Sequence, residues 1–303
     1  MFDEALFMIA VYCLICEVYG HLYPQGVRHR GFTPQLTDGE ALTIGIVGEY
    51  LGLGNDQAIF EYFYKHYRAW FPALNDRSLL VRQWANLWQV EQVIWQVLVQ
   101  RSGANDSAIQ VIDTLPVPIC KIKRYKRRHI LCDDVLLEPE VGYCASKDWY
   151  SFGFKGGIRL AANGMLVQAP LLMARPHDSQ HTDALLAGTP VGTLGLADKA
   201  FLDEDKQTTL QEDYGLRLLT PLRAGMQPTA FMLPDVLKGL RQLIETVNGQ
   251  LVERFKVQAM RVRKGWTLLA KWFRKILAHT VCVWLNLQLG RSPLDFAGLV
   301  SVK

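Results

Sequence analysis

Apolar residues in the first hundred positions recur at the three- and four-residue spacing of helices. This spacing predicts helices over 3–19, 38–51, 56–70 and 78–101. Thr37 and Glu40 have the spacing of a capping box, in which each side chain bonds the backbone N–H of the other, so the second helix should begin there. The polar segment 102–106 then predicts the end of an all-α N-terminal domain, residues 1–105.

Beyond residue 106 the pattern changes to short apolar runs separated by Gly and Pro. Asn163-Gly164 between two such runs indicates a hairpin. The order of elements predicts an α/β fold, a mixed sheet flanked by helices, over residues 106–303. The predicted strands are 107–112, 151–160, 165–173, 192–197 and 216–220, and the predicted helices are 181–188, 203–213, 235–256 and 266–289.

Charge is distributed unevenly over an otherwise ordinary globular composition. Half of the 303 residues are hydrophobic, a fifth are charged, and the net charge is +4. Residues 1–105 carry a net charge of −3, so the remainder carries +7. This asymmetry indicates a polyanionic partner contacted mainly by the C-terminal two-thirds of the chain.

The cysteines and the N-terminal apolar run bear on the compartment. Cys13 and Cys16 have a zinc-like spacing, but no second Cys or His pair follows at finger spacing, which favours core thiols in a reducing cytoplasm. The apolar run 7–16 is too short to span a bilayer, and it follows Asp3 and Glu4, where a signal peptide has positive charge. The sequence therefore predicts a cytoplasmic protein with no membrane segment.

Two aspartates follow apolar runs that are typical of buried strands. Asp113 follows 108–112 and Asp198 follows 192–197. Because burying an unpaired carboxylate is costly, we expect both at strand ends, on a sheet rim where a hard cation can neutralise them. Glu245 lies in a helical pattern, in a polar stripe with Arg241 and Asn248. Considered by itself, Glu245 is more simply explained by a surface pair with Arg241.

The three carboxylates together predict a different chemistry. Asp113, Asp198 and Glu245, with no paired His or Cys, suit two Mg²⁺ (or Mn²⁺) ions better than zinc. Two such ions support in-line displacement at phosphorus. The group His177, Asp178, His181 and Asp183 has no further ligand at a defined spacing, so it is interpreted as a polar loop and helix cap.

Basic residues cluster in two stretches of the C-terminal two-thirds. The segment 121–129 is densely cationic and begins eight residues after Asp113, which favours DNA phosphate contact over a solvated loop. A second block extends from Arg254 to Lys275, part of which should merely cover the C-terminal helix. The residues predicted to contact DNA are Lys121, Lys123, Arg124, Lys126, Arg127, Arg128, Lys155, Lys199, Arg241, Arg261, Arg263 and Lys264.

Several short motifs in this order resemble bacterial insertion-sequence transposases with an Asp-Asp-Glu triad. They are Ile112–Pro118, Tyr150–Lys155, Ala197–Phe201 and Arg241–Thr246. Gly142–Lys147 and Lys275–His279 make the chain most similar to the insertion-sequence nine-eighty-two family, related to the insertion-sequence-four-like superfamily. The resemblance covers roughly residues 110–290, and the joint order of the motifs is more specific than any one of them.

The resemblance implies a ribonuclease-H-like fold and a metal-binding triad of Asp113, Asp198 and Glu245. Arg241 and Glu245 match the family's glutamate helix, whereas Lys238 and Val252 replace the Tyr and Lys expected there. The implied activity is a magnesium-dependent transposase that binds terminal inverted repeats, cleaves DNA and joins 3′-hydroxyl ends to target DNA. A homodimer in the synaptic complex is also implied, with the N-terminal helices reading the element ends.

Two other functions remain open from the sequence. A structure-selective, metal-dependent nuclease would use the same carboxylates without strand joining. A non-catalytic DNA-binding regulator derived from a transposase would bind without metal. Three intact carboxylates argue against the regulator, because binding by itself does not require them.

Overall fold

The computed structural model describes residues 2–28, 33–127, 131, 138–144 and 148–300. The chain forms two compact units. A helical unit comprises 1–98, 251–260 and 264–303, and a sheet unit comprises 99–250 and 261–263. These units divide the chain differently from the predicted domains 1–105 and 106–303, because the C-terminal helix belongs with the N-terminal helices.

The helical unit begins with four helices that confirm the predicted ones. They are α1 (Glu4–Leu22), α2 (Asp38–Tyr50), α3 (Asp56–His66) and α4 (Arg77–Arg101). The capping box is present at α2: the Thr37 N–H donates to Glu40 Oε2 (2.7 Å) and the Glu40 N–H donates to Thr37 Oγ1 (3.2 Å). Asn55 caps α3, as its position between two helical patterns predicts.

Helix α1 is longer than the apolar run that suggested it. Its most apolar 18 residues have a mean hydropathy of 1.8, so by length and composition alone this helix, which is longer than the run 7–16, could span a membrane. Core helices of soluble proteins meet the same criteria. Phe7, Val11 and Ile15 are fully buried, and the Tyr62 hydroxyl donates to Glu4 at its start. These contacts are those of a helix packed within the helical unit.

The described residues of the sheet unit form seven strands, and they confirm the predicted mixed sheet. They are β1 (Ile109–Cys120), β2 (Glu140–Cys144), β3 (Trp149–Ala161), β4 (Leu166–Gln168), β5 (Leu171–Met173), β6 (Leu194–Leu196) and β7 (Arg217–Leu219). The order is β2-β3-β1-β6-β7, with β4 and β5 also paired to β3. Strand β1 is antiparallel to β3 and parallel to β6. The predicted turn at Asn163-Gly164 joins β3 to β4, and Gly164 adopts a φ of 85° there.

Three predicted helices alternate with the last two strands or follow them. They are α5 (Thr182–Leu186), α6 (Glu204–Tyr214) and α7 (Lys238–Glu253). Leu185 of α5 and Leu210 of α6 join Ile112 of β1 and Leu218 of β7 in one buried cluster. This apolar layer positions the chain around the carboxyl end of β6, where Asp198 follows.

The last helix, α8 (Gly265–Gln288), carries buried charges in the helical unit. Arg274 and Lys275 both pair with Glu49 of α2, at 2.9 and 2.5 Å, and all three are almost completely buried. Lys271 pairs with Asp56 at 3.1 Å. These three cations of the second basic block therefore pack α8 onto α2 and α3, whereas the sequence analysis expected part of that block merely to cover the C-terminal helix. His279 is fully buried, as predicted.

Candidate active site

Asp113 lies inside a strand rather than at its end. The sequence predicted a strand that stops at residue 112, but β1 continues to Cys120 because it pairs with β3 along most of its length. Pro116 and Pro118 are tolerated there because β6 pairs with β1 only through Val111, so that in the described part of the chain no strand pairs with this edge of β1 beyond Val111.

Asp198 lies beside Asp113 because of the register of two parallel strands. Val111 of β1 is the partner of Leu196 of β6. Each aspartate is two residues further along its own chain, so both project from the same side of neighbouring segments. Asp198 also caps the short 3₁₀ helix Lys199–Phe201, accepting a hydrogen bond from the Ala200 N–H at 2.8 Å.

The Asp113 carboxylate is bound by two donors. Its Oδ1 accepts from the Thr114 N–H at 2.7 Å, and its Oδ2 accepts from Asn248 Nδ2 of α7 at 2.8 Å. Burial raises the pKa of Asp113 to about 7, the negative charges of Asp198 and Asp178 act in the same direction, and the two donors oppose them. Asp113 thus lies in a locally negative environment.

Asp178 is an additional carboxylate near Asp113 that the sequence analysis interpreted only as part of a loop. It accepts hydrogen bonds from Thr114 Oγ1 and from Lys155 Nζ, both at 2.8 Å. The polar loop and cap are confirmed, since His177 caps the short 3₁₀ helix Asp178–His181. Lys155, predicted to contact DNA, has its ammonium bound to Asp178 and to the Pro176 carbonyl, at 2.7 Å for the latter.

Glu245 lies elsewhere on α7 from the residue that contacts Asp113. Its side chain is 67% exposed and lies 3.9 Å from the Arg241 guanidinium, the surface pair that its spacing suggests. Asn248, three residues later, makes the contact to Asp113. Among the described residues, no three His, Cys, Asp or Glu side chains are grouped so that they could hold a metal ion. The structure therefore brings Asp113 and Asp198 together, with Asn248 supplied by α7.

The donor set at Asp113 fits a hard divalent cation. Asp113 and Asp198 offer carboxylate oxygens, the ligand type that Mg²⁺ prefers. Their like charges cost energy next to each other, and a cation would remove that cost. Asn248 Oδ1 is a buried oxygen that has no hydrogen-bond partner among the described residues. A cation or its bound water would give this oxygen a partner.

The predicted DNA-contact residues fall into separate groups. Lys121, Arg124, Arg261 and Arg263 line one cavity of about 270 Å³ in the sheet unit. Lys123 and Lys199 are exposed, Arg241 pairs with Glu245, and Lys264 lies over Trp266 in the helical unit. Arg128 lies outside the described residues, as do the side chains of Lys126 and Arg127, and Ala145–Lys147 of one family motif.

Sequence reasoning missed Asn248 and Asp178 as site residues. Asn248 carried a usable signal, because it completes the polar stripe of Arg241 and Glu245 on the helix. Asp178 carried none, because its approach to Asp113 depends on the hydrogen bond from Thr114 across distant segments.

A family model matches the part of the sequence that carries these residues. The model of a family described as the transposase DDE domain matches residues 103–265, just over half of the chain. The match spans both aspartates, Asn248 and Glu245. No curated protein and no solved structure matches the chain.

Proposed function

On the premise that the chain belongs to the transposase DDE domain family, we propose that it cleaves and joins DNA at the ends of a mobile element. The observation that supports this most strongly is the side-by-side placement of Asp113 and Asp198 on parallel neighbouring segments. The sheet order, with an antiparallel β1–β3 pair followed by parallel β6 and β7, supports a ribonuclease-H-like fold. The narrower placement in the insertion-sequence nine-eighty-two family remains a prediction.

The catalytic residues of the proposal are Asp113, Asp198 and Glu245, holding two Mg²⁺ or Mn²⁺ ions. When bound, such ions activate the attacking oxygen and stabilise the leaving oxygen at phosphorus. Asp113 and Asp198 supply the fixed ligands from the sheet. Glu245 is the third because it lies one helical turn before Asn248, whose side chain already contacts Asp113.

The neighbouring residues hold the two aspartates in place. Thr114 and Asn248 fix the two oxygens of Asp113, and Ala200 fixes Asp198. The Lys155 ammonium is bound to Asp178, whose carboxylate also accepts a hydrogen bond from Thr114 beside Asp113. The partner of this site is double-stranded DNA, both element ends and target, bound by a homodimer in the cytoplasm.

Three carboxylate variants test the proposal. Asp113→Asn, Asp198→Asn and Glu245→Gln should each reduce Mg²⁺-dependent cleavage on the order of 10⁴-fold. The three carboxylates would hold the ions jointly, so the loss of any one removes most of the activity of the set. Asp183→Asn is the matched control, since Asp183 is an exposed carboxylate of the same unit, paired with Lys206. The measurement is cleavage of a duplex that carries the element end, with folding checked by circular dichroism.

The pattern of losses identifies which part of the proposal fails. If both aspartate variants remain active, the proposed site is wrong. If they are inactive while Glu245→Gln remains active, the third ligand is a residue other than Glu245. Supplying pre-cut ends separates a transposase, which joins them to target DNA, from a nuclease, which does not. Metal-independent binding as the sole activity would instead identify a DNA-binding regulator.

A further inference from the structure

Two basic segments that lie far apart in the sequence meet at one cavity of the sheet unit. Lys121 and Arg124 follow the end of β1, and Arg261 and Arg263 come from the loop before α8. Their charged side chains are exposed around a volume of about 270 Å³. The segment Arg261–Arg263 is the part of the C-terminal region that belongs to the sheet unit.

Apolar packing and a backbone hydrogen bond hold the two segments of the cavity in place. Ile119 and Val262 form its buried floor. The Tyr125 ring stacks on Phe152 of β3, with ring centroids 5.2 Å apart, which anchors the turn that carries Arg124. The Leu131 N–H donates to the Arg263 carbonyl at 3.3 Å. The cationic side chains therefore extend from a packed base.

No acidic partner for the charge of the cavity lies among the described residues. Within the described part of the chain, none of Lys121, Arg124, Arg261 and Arg263 has a carboxylate within ion-pair distance. Like charges gathered without counterions repel one another, and an anion would remove that repulsion. Guanidinium groups on facing segments suit the bidentate recognition of phosphate oxygens.

The position of the cavity relative to Asp113 is set by β1. Cys120, on the cavity wall, lies seven residues beyond Asp113 along that strand. At ~3.3 Å per residue the separation is roughly 23 Å. Consecutive phosphates of one DNA strand are ~3.4 Å apart along the helix axis, so for a duplex lying along β1 this distance corresponds to about seven base pairs.

We propose that this cavity binds a backbone phosphate of the substrate DNA about seven base pairs from the phosphate held at Asp113. The site would fix the register of the duplex without reading its sequence, since phosphate contacts carry no base information. The inference rests on the proposed function, because it takes DNA as the substrate and the aspartates as the site of cleavage.

Cross-linking through Cys120 tests the register. A thiol tether is placed on single phosphates of the element-end duplex, one position at a time, from about three to about twelve base pairs from the cleaved bond. Disulfide formation with the intact protein, without metal, should peak at about seven. The disulfide signal should disappear in the Cys120→Ser variant, which identifies Cys120 as the thiol that reacts. A peak elsewhere, or a signal equal at every position, would overturn the inference.

Salt-dependent binding tests whether the two segments act together. Arg124→Ala and Arg263→Ala should each lower the dependence of log affinity on log salt by about 0.9 and weaken specific and nonspecific duplexes alike. The double variant should lose less than the sum, because both arginines contact one phosphate. Arg223→Ala, an exposed arginine of the same unit outside the cavity, is the control. Fully additive losses, or equal losses in the control, contradict a shared phosphate site.

The outcomes distinguish this inference from the proposed function. If cavity variants bind DNA normally while Asp113→Asn loses cleavage, the cavity proposal fails and the transposase proposal stands. If the wild-type protein binds no duplex, the failure lies with the proposed function itself.

Discussion

The two units bury charge in opposite ways. In the helical unit, Glu49 and Asp56 are surrounded by Arg274, Lys271 and Lys275, so every one of these charges has a partner of opposite sign. In the sheet unit, Asp113 lies near two other carboxylates, and the nearby ammonium of Lys155 is bound to Asp178. The chain thus supplies counterions for Glu49 and Asp56, although burial still raises the pKa of the neighbouring Glu91, whereas it places Asp113 beside carboxylates of the same sign.

The pKa values of one aspartate from each unit show the contrast. Burial acts to raise the pKa of Asp56, but Arg274 and Lys271 outweigh it and lower the value to about 2. Burial and like charges instead raise the pKa of Asp113 to about 7. A buried carboxylate therefore stabilises the fold where the chain supplies its counterions, and a buried carboxylate beside like charges, as at Asp113, is a candidate ligand site.

The largest effect on folding is expected from the helical cluster. Glu49→Gln leaves Arg274 and Lys275 buried without their shared counterion, which should lower the free energy of unfolding by about 3–5 kcal/mol. Glu61→Gln, at an exposed position of α3, should change it by less than about 0.5 kcal/mol. Urea unfolding of the three proteins measures both values. Equal stability of Glu49→Gln and wild type would contradict the assigned role of the cluster.

Metal binding should stabilise the sheet-unit site and leave the helical cluster unaffected. At a Mg²⁺ concentration about 100 times the dissociation constant, the folded protein should gain about 2.7 kcal/mol. Asp113→Asn should lose this gain and, without metal at pH 8, be more stable than wild type because the repulsion is removed. Thermal unfolding with and without Mg²⁺ checks both signs. A Mg²⁺ response that Asp113→Asn retains would place the ion elsewhere.

Acid should weaken the helical cluster in a defined pH range. The folded-state pKa of Asp56 is about 2, below the ordinary value of 3.8, so its contribution is present above pH ~4 and is lost as pH falls toward ~2. The loss amounts to about 2 kcal/mol. Asp56→Asn should be less stable than wild type at neutral pH and should lack this part of the acid-induced loss. Parallel stability curves between pH 5 and 2 would show that the ion pairs contribute nothing.

The smallest effect is expected from the amide that holds Asp113. Asn248→Ala removes a hydrogen-bond donor to the proposed metal ligand Asp113. The loss of a hydrogen bond to a metal ligand typically lowers metal affinity by about tenfold or more. The Mg²⁺ concentration for half-maximal cleavage should rise accordingly, with an unchanged thermal midpoint. Gln242→Ala, exposed on the same helix, is the matched control. A lower midpoint without a shift in Mg²⁺ dependence would assign Asn248 a structural role.

Local sequence patterns determined most element positions in this protein. Helical spacing and the Thr37–Glu40 capping box located α1 to α4, and the Asn163-Gly164 turn located the β3–β4 hairpin. These signals suffice because they report hydrogen bonds and side-chain periodicity among residues a few positions apart. They also identified Asp113 and Asp198, because charged residues directly after apolar runs are conspicuous in any sequence.

Tertiary structure decided which distant residues share a site. The extension of β1 beyond Asp113 required pairing with β3, and the approach of Asn248 and Asp178 required the packing of α7 and of a loop. The same holds for Arg274 and Lys275 of the second basic block, whose charges both pair with Glu49 of α2. Charge is a property of each residue in the sequence, but its neutralisation depends on strand register and helix packing, which bring partners together across more than a hundred positions.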